Sequence, residues 1–232
     1  MPTVPLRGSK LRKAFGRVGI AALYSQDDPM PYNAFNLSKV KTDFKLIFVE
    51  NQDLFGDVQA VSPSEYLNLI FSEHLPLVTA INTEKARSEL IIMPVLIEVK
   101  RFFKYQISIF SGSEFNVDAS KSLEGRCDFI LSCSPEQYDI TSPVVTIVEA
   151  KNESIKSGLG QCIATMIASQ LFNQQQGNII NEIYGVVTTG TDWKFLKLCD
   201  NTIFIDKNDY FIKEIDKILG ILTMTLMACP QF

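Results

Sequence analysis

Apolar residues along this chain fall into short unbroken runs, separated by segments where they recur every three or four positions. CDFILSC (127–133), VVTIVEAK (144–151) and IYGVVTTG (183–190) are the strongest runs and predict strands within a core. KLIFVE (45–50), KFLKLC (194–199) and TIFID (202–206) predict further strands. ISIFSGSEFNVD (107–118) predicts a hairpin that turns at Ser-Gly. Helical spacing predicts a helix in SPSEYLNLIFSEHL (62–75), capped by Ser62 or Ser64, and a second from Thr83 to about Lys100, capped by Thr83 and kinked at Pro94. A third covers about Gln161–Gln176, after Gly158 and Gly160, with Ile163, Met166, Ile167 and Leu171 inward, and a last covers about Asp209–Met227. The order α-β-β-β-α-β is that of an α/β protein with a mixed sheet flanked by helices. Residues 1–45 are weakly periodic and rich in Pro and Gly. The expected division is therefore an N-terminal arm and lead-in over 1–60 and an α/β domain over 61–232.

Composition narrows the chemistry. The 232 residues are 46% hydrophobic and 21% charged, enough for one substantial core. No apolar run reaches the roughly 18 residues of a membrane span. The basic N-terminus lacks a signal-peptide core, so the expectation is a cytoplasmic protein with no membrane partner. Cys127, Cys133, Cys162, Cys199 and Cys229 form no C-x-x-C pair and are expected as reduced, buried thiols. The single histidine, His74, rules out a polyhistidine metal site and disfavours Ser-His or Cys-His machinery; it is expected near a helix end, partly exposed. Any catalysis then falls to carboxylates and lysines. A net charge of −4 weighs mildly against nucleic acid as a partner, although Arg7, Lys10, Arg12, Lys13 and Arg17 crowd a stretch without an acid.

In VVTIVEAKN a buried-type strand runs straight into Glu149-Ala150-Lys151. Alternation puts Glu149 and Lys151 on the face of Val145 and Ile147. The loop 134–143 joins this strand to the preceding one, and its midpoint coincides with the midpoint between Asp128 and Glu149. An antiparallel hairpin would set those two acids opposite each other, with Cβ atoms about 4.5–5.5 Å apart. Two facing carboxylates at a sheet's edge repel, and a hard divalent cation, Mg²⁺ or Mn²⁺, offsets this with help from the Ala150 carbonyl and water. Lys151 then stands where a scissile phosphate arrives. The competing interpretation is an ordinary exposed Glu-x-Lys ion pair.

Asp128, Glu149-Ala150-Lys151 and a following helix near Gln161 resemble the PD-(D/E)XK nuclease superfamily, the restriction-endonuclease-like fold, over about residues 83–206. The resemblance implies a metal-dependent nuclease hydrolysing phosphodiester bonds, with DNA as the expected substrate, through a metal-activated water. Asp128 and Glu149 would ligate Mg²⁺ and Lys151 would be the catalytic lysine. Glu89, on the helix before the sheet, matches a further acid of the family and is equally compatible with a solvent-facing position. Gln161 matches a substrate-binding glutamine, but Thr165 stands where a tyrosine would complete that sub-motif. Cys127 replaces the proline that names the family. Cutters of this kind often act as homodimers. The alternative is a catalytically silent nuclease-fold module that binds nucleic acid or a protein partner; a small-molecule phosphoesterase is a third option. Gly158-x-Gly160 lacks the third glycine of a dinucleotide fingerprint, and no Walker motif occurs. Trp193 and Lys194 could stack on and pair with nucleic acid, or Trp193 could pack at a sheet edge.

Overall fold

The computed structural model describes residues 31–227 and Cys229. Its elements are α1 (Leu37–Asp43), β1 (Ile47–Gln52), α2 (Glu65–Ile81), α3 (Glu84–Arg87), α4 (Met93–Phe102), β2 (Ser108–Glu114), β3 (Arg126–Ser132), β4 (Val144–Ala150), α5 (Ile155–Gln175), β5 (Glu182–Thr188), β6 (Asp192–Cys199), β7 (Thr202–Asp206), β8 (Tyr210–Phe211) and α6 (Ile215–Met227). They build one mixed sheet in the order β1-β7-β6-β5-β4-β3-β2, with β8 beside β6. The parallel pairs are β4–β5 and β1–β7. Parallel strands cannot be joined by a tight turn, and α5 supplies the crossover between β4 and β5. Both strands are buried almost throughout, because α5 covers one face and α4 and α6 the other. That is why they read as continuous apolar runs.

The β3–β4 hairpin has the expected register, with Phe129 opposite Val148, Ile130 opposite Ile147 and Leu131 opposite Thr146. One step further this register sets Asp128 opposite Glu149. A shift between Leu131 and Ser132 breaks the alternation below that point. Val144 and Ile147 pack on the α5 side while Val145 packs on the other, so Val145 does not share Glu149's face as expected.

Several boundaries differ from the expectations. The Ser111-Gly112 pair does not turn: β2 runs through it, with Ser111 opposite Phe129 and Ser113 opposite Cys127, and Gly112 takes a φ of +61° inside the strand. Helix α5 starts at Ile155, not Gln161, so both glycines lie within it. A Cβ on Gly160 would collide with the Phe35–Asn36 backbone, which shows how closely the start of α1 crosses α5. Residues 31–60 are therefore part of the domain rather than a lead-in: Tyr32, Phe35 and Val40 are buried against α5, and β1 is a strand of the same sheet. The basic residues Arg7 to Arg17 lie outside the described residues. Cys133 and Cys229, expected as thiols, form a disulfide with Cα atoms 5.5 Å apart across a sequence separation of 96. Tertiary packing of α6 against β4 brings the two ends together, which no local spacing could signal. Such bridges belong mostly to oxidising compartments, so this one does not support the cytoplasmic expectation. Cys127 and Cys162 are buried free thiols as expected, and Cys199 is a half-buried one.

His74 has a structural role. Thr83 caps the helical run that begins at α3, accepting from the Ala86 amide at 3.2 Å. The run widens into a π turn over Ser88–Ile92 and continues as α4 with Pro94 in its first turn. Pro94 has no N–H to offer the Leu90 carbonyl four residues back. The His74 Nδ1–H, from α2, donates to that carbonyl at 2.8 Å. Substituting His74→Ala should cost about 1–2 kcal/mol by leaving the carbonyl short of a donor. In a Pro94→Ala background, where the helix can supply its own N–H, the same substitution should cost clearly less. Denaturant midpoints of the four proteins in this cycle measure the difference.

Candidate active site

Asp128, Glu149 and Lys151 meet where β3 begins and β4 ends, at one edge of the sheet. The Ala150 amide donates to Asp128 Oδ2 at 2.8 Å, so the Asp128 carboxylate is oriented by the neighbouring strand. Lys151 Nζ lies 2.5 Å from Glu149 Oε1. The Lys151 amide donates to the Thr188 carbonyl at 2.8 Å, which continues the β4–β5 ladder by one residue and fixes the lysine's backbone. Glu149 is 1% exposed, whereas the Lys151 side chain keeps 19% of its surface, enough to face an incoming group.

Burial pushes the Glu149 carboxyl up, to about 8; the charge of Asp128 and a hydrogen bond between the two carboxyls act the same way, while Lys151 acts against them. Burial also works against the charge of Lys151, yet Glu149, Asp128 and Glu84 together hold it above the ordinary lysine range. The two directions reconcile if the carboxyl pair is taken as one unit facing one ammonium. Out of water and beside the charge of Asp128, Glu149 resists ionisation, and Lys151 is the group that favours it.

Helix α5 closes over this group because residue 158 is glycine. A Cβ there would stand 2.7 Å from Val187 Cγ1, 3.1 Å from Lys151 Cγ and 3.2 Å from Glu149 Cγ. Cys127 is a buried core thiol, and burial pushes its pKa up, as it does for Cys162. Neither thiol is an available nucleophile. Gln161 lies on α5 about one turn beyond Gly158, half-buried, and its backbone carbonyl accepts from the Thr165 hydroxyl at 3.1 Å. Ala150 is bonded to Asp128 through its amide. Glu89 stands apart, 59% exposed and paired with Lys85 at 2.7 Å on the outside of the π turn. Among the described residues no group of three or more His, Cys, Asp or Glu side chains is arranged to hold a metal. Trp193 is wholly buried and donates to the Gly190 carbonyl at 2.9 Å, so it presents no face for a base to stack on. Lys194 is tied to Asp209 at 2.9 Å.

Two residues at the mouth escaped the sequence analysis. Glu84, in the first turn of α3, acts electrostatically on Lys151. Arg87, three residues on, donates to Asn152 Oδ1, to the Thr189 carbonyl and to Asn82 Oδ1. Their common signal is an acid and a base three apart, hence on one face, directly after the Thr83 cap.

No protein-family model matches this sequence, and no curated protein matches it; the resemblance rests on the residues themselves.

The raised Glu149 carboxyl fixes the sign of a stability effect. The folded chain holds a proton that the unfolded chain releases above the ordinary glutamate value of 4.5, so this contribution is full below that pH and is lost as pH rises through about 8. Glu149→Gln removes the titration. In metal-free buffer the melting temperature of Glu149→Gln relative to the unsubstituted protein should therefore climb steadily between about pH 5 and 9, as read by thermal scans; a difference independent of pH would contradict it.

Proposed function

We propose that this chain is a Mg²⁺- or Mn²⁺-dependent nuclease of the PD-(D/E)XK kind, hydrolysing phosphodiester bonds, with DNA as the first substrate to test. The observation that carries this reading is the pair of carboxyls at positions 128 and 149, held together beside a partly exposed ammonium. Structural ion pairs seldom place a second acid against a buried first one, because the arrangement is self-repelling.

The donor set fits a hard divalent cation. Mg²⁺ is commonly held by one or two carboxylates, with water and substrate oxygens completing its shell, so a third protein acid is not required. Asp128 and Glu149 would hold it, and Glu84 is better placed than Glu89 to add negative charge at the mouth. When bound, the cation supplies Lewis acidity and neutralises phosphate charge. The chain's own residues do the rest. The Ala150 amide keeps Asp128 facing the site. Lys151, partly exposed beside Glu149, would present its ammonium to the charge that develops on the phosphoryl oxygens. Buried walls from Val187 and α5 exclude bulk water on one side, which strengthens each of these interactions.

A cavity of about 480 Å³ opens beside the first turn of α5, lined by Ile155, Lys156, Lys194, Asp206, Lys207 and Glu50, among others. Lys194 pairs with Val187, which pairs with Glu149, so this groove begins two strands from the carboxyls on the same sheet face. Its three lysines suit a phosphate chain. However, Lys194 is already neutralised by Asp209, and Lys207 lies 3.5 Å from Asp53. That pairing favours the second reading, a catalytically silent module whose groove takes a protein partner.

Cleavage of plasmid, linear, single-stranded and branched DNA and of RNA, with Mg²⁺ or Mn²⁺, separates the two. The nuclease reading expects metal-dependent cleavage that falls on the order of 10³-fold in Asp128→Ala and Glu149→Ala, equivalent to several kcal/mol of transition-state stabilisation. It expects a comparable fall in Lys151→Ala. Undiminished cleavage by both acid variants, or no cleavage of any substrate by the unsubstituted chain, removes it.

A further inference from the structure

Arg87 sits where three separate pieces of the mouth converge. Its Nη1 donates to the Thr189 carbonyl at 2.8 Å, its Nη2 to Asn82 Oδ1 at 2.8 Å and its Nε to Asn152 Oδ1 at 3.2 Å. Two of those partners flank Lys151. Asn152 is the next residue in the chain, and Thr189 follows the Thr188 whose carbonyl accepts from the Lys151 amide. Asn82 is the left-handed C-cap of α2, with φ of +50°, so the third bond ties the α2–α3 corner to the same point.

β4 ends at Ala150 and α5 begins at Ile155, leaving residues 151–154 as a short irregular link. Within that link the Lys151 amide is held by the sheet, and the Asn152 side chain is held by Arg87. We propose that Arg87 is a positioning residue for Lys151, fixing through Asn152 and Thr189 the stretch of backbone from which the lysine reaches Glu149. The proposal rests on the nuclease reading for its catalytic consequence and on geometry alone for its structural one. A planar guanidinium can serve three acceptors in fixed directions; a lysine ammonium at the end of a flexible stem cannot reproduce that fork. Arg87→Lys should therefore behave like Arg87→Ala rather than rescue it. Arg87 touches no group that would react, so its effect must pass through the position of Lys151.

Two readouts on the full-length chain test this. The first is the rate at which an amine-reactive acylating reagent labels Lys151, followed by peptide mass spectrometry, with the remote, paired Lys197 as internal control. Arg87→Ala, Arg87→Lys and the milder Asn152→Ala should each speed labelling of Lys151 several-fold and leave Lys197 unchanged. Faster labelling of both lysines would indicate general loosening of the fold and overturn the proposal, as would unchanged labelling of Lys151. The second is cleavage under saturating metal and substrate. The same variants should lose about 10- to 100-fold in kcat with KM within a few-fold, as expected for a displaced catalytic group. The double variant Arg87→Ala/Asn152→Ala should be no slower than Arg87→Ala alone, because both act through one link. Additive losses, or a kcat kept within about twofold, would overturn it. If labelling changes as expected while the unsubstituted chain cleaves nothing, the positioning role stands and the nuclease reading falls.

Discussion

Burying Glu149 beside Asp128 sets two carboxyls against each other at the mouth of a sheet whose central strands are apolar on both faces. Desolvation and mutual repulsion both oppose the doubly ionised state. Lys151, the Ala150 amide and the close approach of α5 at Gly158 are arranged around that opposition. The lysine partly offsets the charge of Glu149, the amide takes one oxygen of Asp128, and the glycine lets the helix cover the pair without a side chain intervening. What remains is a carboxyl pair that resists its second negative charge, which is the physical ground on which a divalent cation is proposed as its counter-charge.

The part of this arrangement that lay open in the sequence is the part governed by local symmetry. A loop with strands of matching length on either side fixes a hairpin register, and Asp128 and Glu149 fall opposite each other by position alone. The cap Thr83 was equally legible, and Ser64 was one of two candidates, because a hydroxyl before an apolar-periodic run satisfies free amides at a helix start. What stayed hidden depends on contacts between distant segments. The bulge that turns Val145 away from Glu149's face leaves no trace in the residue types. Gly158 and Gly160 look like helix breakers in a sequence, yet both serve close packing within a helix buried on two sides. The acid that acts on Lys151 is Glu84, ahead of the π turn over Ser88–Ile92, while Glu89 within that turn pairs with Lys85 in solvent. The bridge between Cys133 and Cys229 spans nearly half the chain.

The helical run from α3 to α4 links the site to the rest of the fold. Its first turn carries Glu84 and Arg87 at the mouth, and its later turns bury Val95, Leu96 and Val99 against the α2 and α6 side of the core. His74 secures the middle of that run where Pro94 withholds a donor. Positions that look purely structural therefore hold Glu84 and Arg87 beside Lys151. Such a division between a rigid buried frame and a few polar groups at the strand ends is the usual way an open α/β sheet carries a site.

The central claim is that the two carboxyls form one cation site. Calorimetric titration of the unsubstituted chain with Mn²⁺, repeated in two buffers of different ionisation enthalpy, tests it without any substrate. The account expects saturable binding of about one ion per chain with net proton release at neutral pH, lost in both Asp128→Asn and Glu149→Gln. Absence of saturable binding, or binding that survives undiminished in both variants, would contradict it.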